Sequence, residues 1–322
     1  MQALLIVSNN LLFFTRYMQQ QLLFSIIIPT YNRPKQLASC LESLSQLDYP
    51  QDRFEVIAID DGSDNPLDTV VAPFENSLNL KLIRQENAGP AAARNHAAQH
   101  AKGKYLAFTD DDCRPATNWL QALENCFTAT PDRIVGGQTV NALLDNPFST
   151  TSQNIISMGY AHYNAIPDRA RFFASNNMVI PAQRFRELGG FNESFKTSED
   201  REFCDRWLHQ GYEMTYAPEV VIYHAHAMTL RSFWKQHFSY GRGAFRFHQA
   251  RAEKGWGNFE IEGNYYLELL RYPFVNGQGK QGITLTGVLF VSQVANAAGF
   301  FWEMAPFNKK SGLNSSEPKL EV

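Results

Sequence analysis

The 322-residue chain is 44% apolar and 19% charged, enough for the core of one large domain or a domain with an appendage. Its formal charge of −3 argues against a nucleic-acid binder driven by net positive charge. Cys40, Cys113, Cys126 and Cys204 are scattered without a CxxC pair, so reduced thiols in a cytoplasmic protein are expected, with no disulfide framework or zinc site.

Residues 1–23 form an N-terminal extension with two apolar patches, Leu4–Val7 and Leu11–Phe14. They carry no basic n-region, long apolar h-region or small-residue cleavage site, so no signal peptide is expected. FSIIIPT (24–30) is a continuous apolar run, as in a strand buried on both faces. After the turn Tyr31-Asn32-Arg33-Pro34, Leu37, Cys40, Leu41, Leu44 and Leu47 recur at helical spacing. FEVIAI (54–59) predicts a second buried strand, ending on Asp60-Asp61-Gly62-Ser63-Asp64. A third strand, Leu80–Ile83, precedes a loop holding Asn87 and Gly89, and the Ala-rich stretch 91–101 predicts a helix.

The fourth strand, YLAF (105–108), runs through Thr109 onto Asp110, Asp111 and Asp112. Adjacent carboxylates repel by ~1 kcal/mol or more per close pair at a partly wet site. A divalent cation would remove that cost, and oxygen ligands favour Mg²⁺ or Mn²⁺, which also take substrate phosphates as ligands. The repeat of strand, acidic or Gly-bearing turn and helix predicts right-handed βαβ units and an open, mostly parallel α/β sheet. Ligands of such sheets bind beyond the carboxyl ends of the strands, where Asp60, Asp61, Asn87, Gly89 and the three aspartates would gather. There is no GxGxxG after the first strand and no GxxxxGK[ST], so the phosphates are expected to be held through the metal.

Further on, Ile134–Val140 predicts a strand, 141–170 a long polar loop region, and 172–181 another strand-like stretch. Gly189-Gly190 marks a turn. Ser198 is an expected N-cap, followed by Glu199 and Asp200 in the first turn of a helix with Phe203, Trp207 and Leu208 on its apolar face. Those two acids suit either the helix dipole or general-base chemistry at a hydroxyl. Residues 216–226 read as a strand with His224 and His226 on one side, suiting one of them as a metal ligand. A helix over 228–254 has an expected apolar stripe of Leu230, Trp234, Phe238, Gly241 and Phe245, flanked by Arg231, Lys235, Arg242 and Arg246. It could lie on an anionic membrane surface or pack on the domain with solvated arginines. The uncharged run 281–302 is long enough to span a bilayer, but Gln281, Gln293 and Asn296 favour a buried or interfacial helix. A polar tail from 308 is expected to be disordered.

With these residues placed, the chain resembles the family 2 glycosyltransferases of the GT-A fold from about residue 24 to 245. The resemblance rests on six segments in order: SIIIPTYNRP (25–34), EVIAIDDGSD (55–64), NAGPAAARNHA (87–97), YLAFTDDDC (105–113), GGFNESF with SEDREFCDRWLHQGY (189–212), and YHAH (223–226). It implies a catalytic domain over 24–227, a C-terminal helical region over 228–307 and a tail over 308–322. It also implies inverting transfer of a sugar from a nucleoside-diphosphate sugar, UDP being the expected nucleotide, to a glycan or lipid-linked acceptor. By the same resemblance Pro29 and Tyr31 would border the nucleotide, Asp60 or Asp61 would bond the base, and Arg94 would approach it. Asn87, Gly89, Asp110 and Asp111 complete the expected donor contacts. Asp110 and Asp112 end the DxD, with Asp112 the more direct metal ligand and His224 the third protein ligand; His226 is the alternative. Asp200, beside Glu199, matches the base. Phe203 stands where processive members carry Gln before Arg-Trp, so one sugar per encounter is expected. The expected setting is cytoplasmic, with peripheral contact at the membrane face in cell-envelope saccharide synthesis. A nucleotidyltransferase and a non-catalytic nucleotide-sugar-binding protein are the rival readings.

Overall fold

Residue alternation in the first two strands sets the layering. Phe24, Ile26 and Ile28 of β1 (Phe24–Thr30) join one core with Phe54, Val56 and Ala58 of β2 (Phe54–Asp60). Ile27, Ile57 and Ile59 face the opposite core. Successive side chains of a strand point to opposite faces, so a sheet carrying apolar residues at both parities must be covered twice. The computed structural model describes residues 22–257, 268–269, 271–274 and 282–305; most of the N-terminal extension and all of the tail lie outside them.

The sheet is completed by β3 (Leu80–Arg84), β4 (Tyr105–Phe108), β5 (Cys113–Pro115), β6 (Ile134–Asn141), β7 (Met178–Pro181) and β8 (Met214–His224), in the order β3-β2-β1-β4-β7-β6-β8-β5. The pairs among the first four strands are parallel, as the βαβ reading predicts. Beyond β4 the pairing is mixed: β7 runs antiparallel to both β4 and β6, while β6 and β8 are parallel. Helix α1 (Pro34–Ser45) buries Leu37, Leu41 and Leu44 in the first core. The short α2 (Asp68–Val71) adds Val71 there. Helix α3 (Pro90–His100) lays Ala91, Ala93 and Ala97 on the second core, and their methyl-sized side chains let its backbone lie close to the sheet. Helix α4 (Trp119–Ala129) returns to the first core through Trp119, Leu120 and Leu123.

The expected loop over 141–170 holds a helix instead, α5 (Pro147–Tyr163). Its buried positions include Ser149, Thr151, Asn154 and Gly159, so apolar periodicity cannot reveal it. The local signal was the cap: the Asn146 side chain accepts from the amides of Phe148 and Ser149, with Pro147 in the first turn. The strand-like reading of 172–181 holds only from Met178, because Ser175–Asn177 form a 3-10 turn. The buried Asn177 side chain there donates to the carbonyls of Gln138 and Val220 at 3.1 and 2.9 Å and accepts from Trp119 Nε1 at 3.1 Å. Helix α6 (Ala182–Glu187) leads into the Gly189-Gly190 turn, where both residues have positive φ. Helix α7 (Glu199–His209) then buries Phe203 and Trp207 in the second core.

Helix α8 (Leu230–Glu253) starts on a reciprocal cap between Thr229 and Ser232. Its inner face is not the expected stripe. Phe233, His237, Gly241 and Phe247 are buried, whereas Leu230 and Trp234 are 55% and 40% exposed. The reason lies in α9 (Gly282–Met304), which packs along α8 and touches α5. A Cβ on Gly241 would sit 1.9 Å from the carbonyl oxygen of Asn296, and one on Gly299 would sit 1.9 Å from that of Phe238. Two glycines therefore fix which faces meet. Arg242 and Arg246 both bond Glu303 of α9 at 2.7 Å, which neutralises half of the expected basic stripe. Helix α9 is long and apolar enough to cross a membrane, with a mean hydropathy of 1.4 in its most apolar window. It buries Leu285, Leu289, Ser292, Ala295 and Gly299 and leaves Ile283, Phe290, Phe301 and Trp302 exposed.

These contacts generate a paired prediction. Gly299→Val should destabilise the protein by about 1–3 kcal/mol through overpacking. Gly287→Ala, at a position with nothing within 4 Å of the added atom, should stabilise by about 0.5–1 kcal/mol through helix propensity. Thermal and urea melts of the full chain read both.

Candidate active site

The loops after β1, β2 and β4 converge at one end of the parallel half of the sheet. The acidic trio follows β4 and meets two guanidinium groups. Arg33, in the turn after β1, contacts Asp111 Oδ1 at 3.0 Å and Asp112 Oδ2 at 2.6 Å. Arg94, on α3, contacts Asp110 Oδ1 at 2.7 Å and Glu199 Oε1 at 2.8 Å. Thr30 Oγ1 donates to Asp111 Oδ2 at 2.7 Å. The mutual repulsion expected of three neighbouring carboxylates is thus offset by the protein's own cations. Arg33 was missing from the sequence-predicted site. Its signal was there, a fixed cation in the first loop facing an acidic one.

The three acids differ in environment. Burial pushes Asp111 up to about 7 in spite of Arg33. Burial also acts upward on Asp112, but the hydrogen bond and charge of His224, together with Arg33, hold it well below the usual carboxylate range. For His224 burial acts downward, and Asp112 reverses the sign to leave it raised. His226 is lowered, chiefly by burial.

His224 Nε2 lies 3.2 Å from Asp112 Oδ1, and His226 Nδ1 lies 3.6 Å from Asp112 Oδ2. The ligand atoms of Asp112, Cys113 and His224 lie within 4.8 Å of one another. A carboxylate oxygen and an imidazole nitrogen suit a Mn²⁺-like or Mg²⁺-like cation, so these residues fit such an ion. Cys113 is buried, and its soft sulfur does not suit a hard cation of this kind. Asp110, expected in the metal set, has one carboxylate oxygen on Arg94.

Residues from these loops line a cleft of about 1550 Å³, among them Pro29, Tyr31, Asp61, Asn87, Gly89, Arg94, Asp110, Asp111, Asp112 and His224. That exceeds the roughly 300–1,000 Å³ of an ordinary small-molecule site and leaves room for two substrates. Asp61 ties down the loop after β3: it accepts from Gln85 Nε2 at 2.7 Å and from the amides of Ala88 and Gly89, both at 2.9 Å. Gly89 has φ +94 and starts α3. Asp60 is a correction to the expected contacts. It is not among the cleft-lining residues. Its carboxylate is turned into the protein, accepting from the Ser63 amide at 2.9 Å and pairing with Arg84 at 3.3 Å. Of the two adjacent acids, Asp61 reaches the cleft.

Glu199 and Asp200 open α7 on the same cleft. Ser198 precedes them in a left-handed conformation, φ +67, and its hydroxyl does not cap the helix as expected. Asp200 Oδ2 accepts from the Ser175 amide at 3.3 Å, and Oδ1 accepts from the Arg201 amide at 2.7 Å. Burial raises the pKa of Asp200, and it lifts Glu199 to about 7 with help from the Asp200 charge. Helix α8 crosses this turn closely. Thr197 Oγ1 donates to the Ser239 carbonyl at 2.9 Å, and a Cβ on Gly243 would sit 2.5 Å from Thr197 Oγ1. Arg94 links the two acidic clusters, because it binds Asp110 and Glu199 together.

A pH dependence follows. Glu199 titrates near 4.5 when unfolded and near 7 when folded. Its stabilising contribution is therefore fully present below about pH 4.5 and is lost as pH rises through about 7. The difference between urea midpoints at pH 5 and pH 8 should shrink in Glu199→Gln relative to the parent, measured without added metal.

Three comparisons bear on this site. The pattern described as glycosyl transferase family 2 matches residues 25–189. The glycosyltransferase AglE of Haloferax volcanii is 27% identical over 221 residues, covering 68% of this chain and 72% of that protein. Several longer relatives are spanned over little more than half of their length or less. Among solved structures, the mannosyltransferase PcManGT from Pyrobaculum calidifontis, in complex with GDP-Man and Mn²⁺, superposes with a TM-score of 0.62 at 20% identity, covering 88% of each chain. S. aureus TarS 1–349 in complex with UDP-GlcNAc superposes with a TM-score of 0.51 at 17% identity, covering 89% of this chain and 92% of that one. These likenesses establish a GT-A type of fold. The family pattern spans the loops after β1, β2 and β3 and the acidic trio, over more than half of the chain, and the protein accordingly belongs to glycosyl transferase family 2 and is a glycosyltransferase.

Proposed function

We propose that the protein moves one sugar from a nucleoside-diphosphate sugar to a hydroxyl acceptor, with inversion and with Asp200 as the base. The observation that carries this reading is that Asp200 and the acidic trio line one cleft, with Arg94 joining Asp110 to Glu199, the residue next to Asp200. The acceptor oxygen bonds the anomeric carbon as its proton passes to the Asp200 carboxylate. The bond from that carbon to the diphosphate oxygen breaks, and the diphosphate keeps the electron pair. A base on a wet surface would be a weak proton acceptor near pH 4. The raised pKa of Asp200 brings it closer to the working range. Asp112 and His224 would hold a divalent cation, Mn²⁺ or Mg²⁺, which supplies Lewis-acid neutralisation of the leaving diphosphate when bound. Arg94 and Arg33 hold Asp110, Asp111 and Asp112 in place beside it.

Pro29, Tyr31, Asp61, Asn87 and Gly89 form the donor side, with UDP as the proposed nucleotide. The UDP-GlcNAc and GDP-Man carried by the two structural neighbours are both compatible with a cleft of this kind. Single transfer is supported by the surroundings of Arg206 and Trp207. Arg206 pairs with Glu202 at 2.7 Å and bonds the Gly190 carbonyl at 2.9 Å. Trp207 is buried, with Nε1 on the Glu213 carbonyl at 2.9 Å. Both serve packing of α7. The exposed aromatics of α8 and α9, beside the exposed Arg231, support peripheral association with the cytoplasmic membrane face during cell-envelope saccharide synthesis.

Asp200→Asn should lower transfer by about 10²–10⁴-fold, the usual contribution of a general base. The thermal shift given by the donor nucleotide with Mn²⁺ should persist in that variant. Transfer at the parental rate would remove Asp200 from the role. Release of pyrophosphate in place of nucleoside diphosphate would overturn the reaction class.

A further inference from the structure

Arg201 is a cation of the cleft that the acidic site does not use. It follows the proposed base on α7 and lines the same cleft. Its guanidinium lies over the ring of Phe247 on α8, with Cζ 4.3 Å from the ring centroid. Phe247 is buried, so this platform is fixed by packing. A guanidinium held over a ring face keeps the N–H fork at its edge for an anion. Among the described residues, no side-chain hydrogen bond or ion pair occupies that fork. The acids nearest to it in sequence are engaged elsewhere. Asp200 accepts from the amides of Ser175 and Arg201. Glu202 pairs with Arg206 at 2.7 Å, and Asp205 pairs with Arg251 at 3.2 Å. His248 of α8 lines the cleft as well and feels the Arg201 charge. Burial, then Arg201 and Arg251, lower it to about 4, so it stays a neutral imidazole near pH 7.

The clustered carboxylates of the cleft repel an anionic substrate, and a neutral acceptor has no need of a guanidinium beside the base. We propose that the acceptor is an anion: the Arg201 fork grips an oxyanion on it, phosphate or carboxylate, while a neighbouring hydroxyl meets Asp200. This deepens the proposed function and rests on it, since the hydroxyl must reach that base. The donor diphosphate is a different charge, met at Asp112 and His224 on the other acidic cluster. The planar fork of arginine matches carboxylate and phosphate alike, so the two sources share one chemistry. A fixed cation at this corner also sets the direction of the acceptor, because its charged group and its hydroxyl are held by consecutive residues of α7.

The test uses the full chain with Mn²⁺ and UDP or GDP, and the methyl glycosides of glucose, galactose and N-acetylglucosamine. Each is taken in neutral, 6-carboxylate and 6-phosphate form. Calorimetric titration reads their affinities. For at least one sugar a charged form should bind about tenfold or more tighter than the neutral one, as a charge-assisted contact provides. Whether carboxylate or phosphate leads identifies the source of the anion. Arg201→Gln should bring charged and neutral forms to within about twofold. Arg201→Lys, which keeps the charge and loses the fork, should retain part of the preference. The nucleotide thermal shift should match the parent in both variants, which checks the fold. A salt series on the unaltered protein is a second reading that needs no substitution: the preference should shrink as chloride rises, with neutral binding unchanged. Equal affinity of charged and neutral forms, or no binding of any glycoside, overturns the proposal. So does a preference that survives Arg201→Gln, or one indifferent to salt. Donor hydrolysis and nucleotide thermal shifts of the parent separate the cases. If they persist while the charge preference is absent, the anionic acceptor fails and glycosyl transfer stands. If they are absent too, the underlying reading fails.

Discussion

The site depends on two arginines that contact four of five clustered carboxylates, while the fifth, Asp200, is held by backbone amides. Asp110, Asp111, Asp112, Glu199 and Asp200 share one cleft, and a folded chain could not hold them there uncompensated. Arg33 contacts two of them and Arg94 two others. The geometry matters more than the charge count. Arg94 spans from the loop after β4 to the first turn of α7, joining segments that are distant in sequence. Each arginine comes from an element already fixed by core packing, Arg33 beside α1 and Arg94 within α3. The electrostatic arrangement is therefore inherited from the apolar layering of the sheet.

The same dependence explains what could be read from the residues alone. β1, β2 and β4 were legible because they are buried on both faces and end abruptly on turn residues, and the edge strand β3 by its short apolar run between them. Their parallel pairing followed from chain connectivity. Asp61, Asn87, Gly89 and the acidic trio were legible as a group for that reason. The separation of Asp60 from Asp61 was not, because alternation at a strand end cannot say where pairing stops. Asp60 is the last paired residue of β2 and turns inward. The role of Arg33 was obscured because a single arginine in a turn carries no pattern until its acidic partners are located. The C-terminal half was harder. Helix α5 hides behind a polar buried face, and the inner face of α8 is chosen by Gly241 and Gly299, whose close approach to the opposing helix has no periodic signature.

The two halves of the cleft thus arise from different physics. The end beside the acidic trio is built from loops at the ends of paired strands, where backbone ladders fix each side chain to within a narrow range. The family pattern covers this part of the chain. The rest of the cleft is lined by faces of α5, which the pattern covers, and of α8 and α9, which meet through glycines beyond it. Helix packing tolerates changes of side chain on the outer surface while the axes stay in place. A scaffold of this form can keep one reaction and vary what it glycosylates.

Asp112 shows how these constraints converge on one group. One carboxylate oxygen faces His224, and the other faces Arg33 and His226. The hydrogen bond and charge from His224 and the charge of Arg33 together outweigh its burial, so it stays ionised where Asp111, with a single cationic partner and a hydroxyl, is lifted to about 7. A buried acid that must meet a cation has to be ionised before the cation arrives, or binding would carry the cost of removing its proton. Arg33 meets that requirement in advance, whereas His224 would itself have to give up its proton before it could ligate the cation. The neighbouring Asp111 is held by Thr30 and Arg33 in a setting that leaves it easier to protonate. Adjacent residues of one type thereby acquire different chemistry, which identical letters in a sequence cannot display.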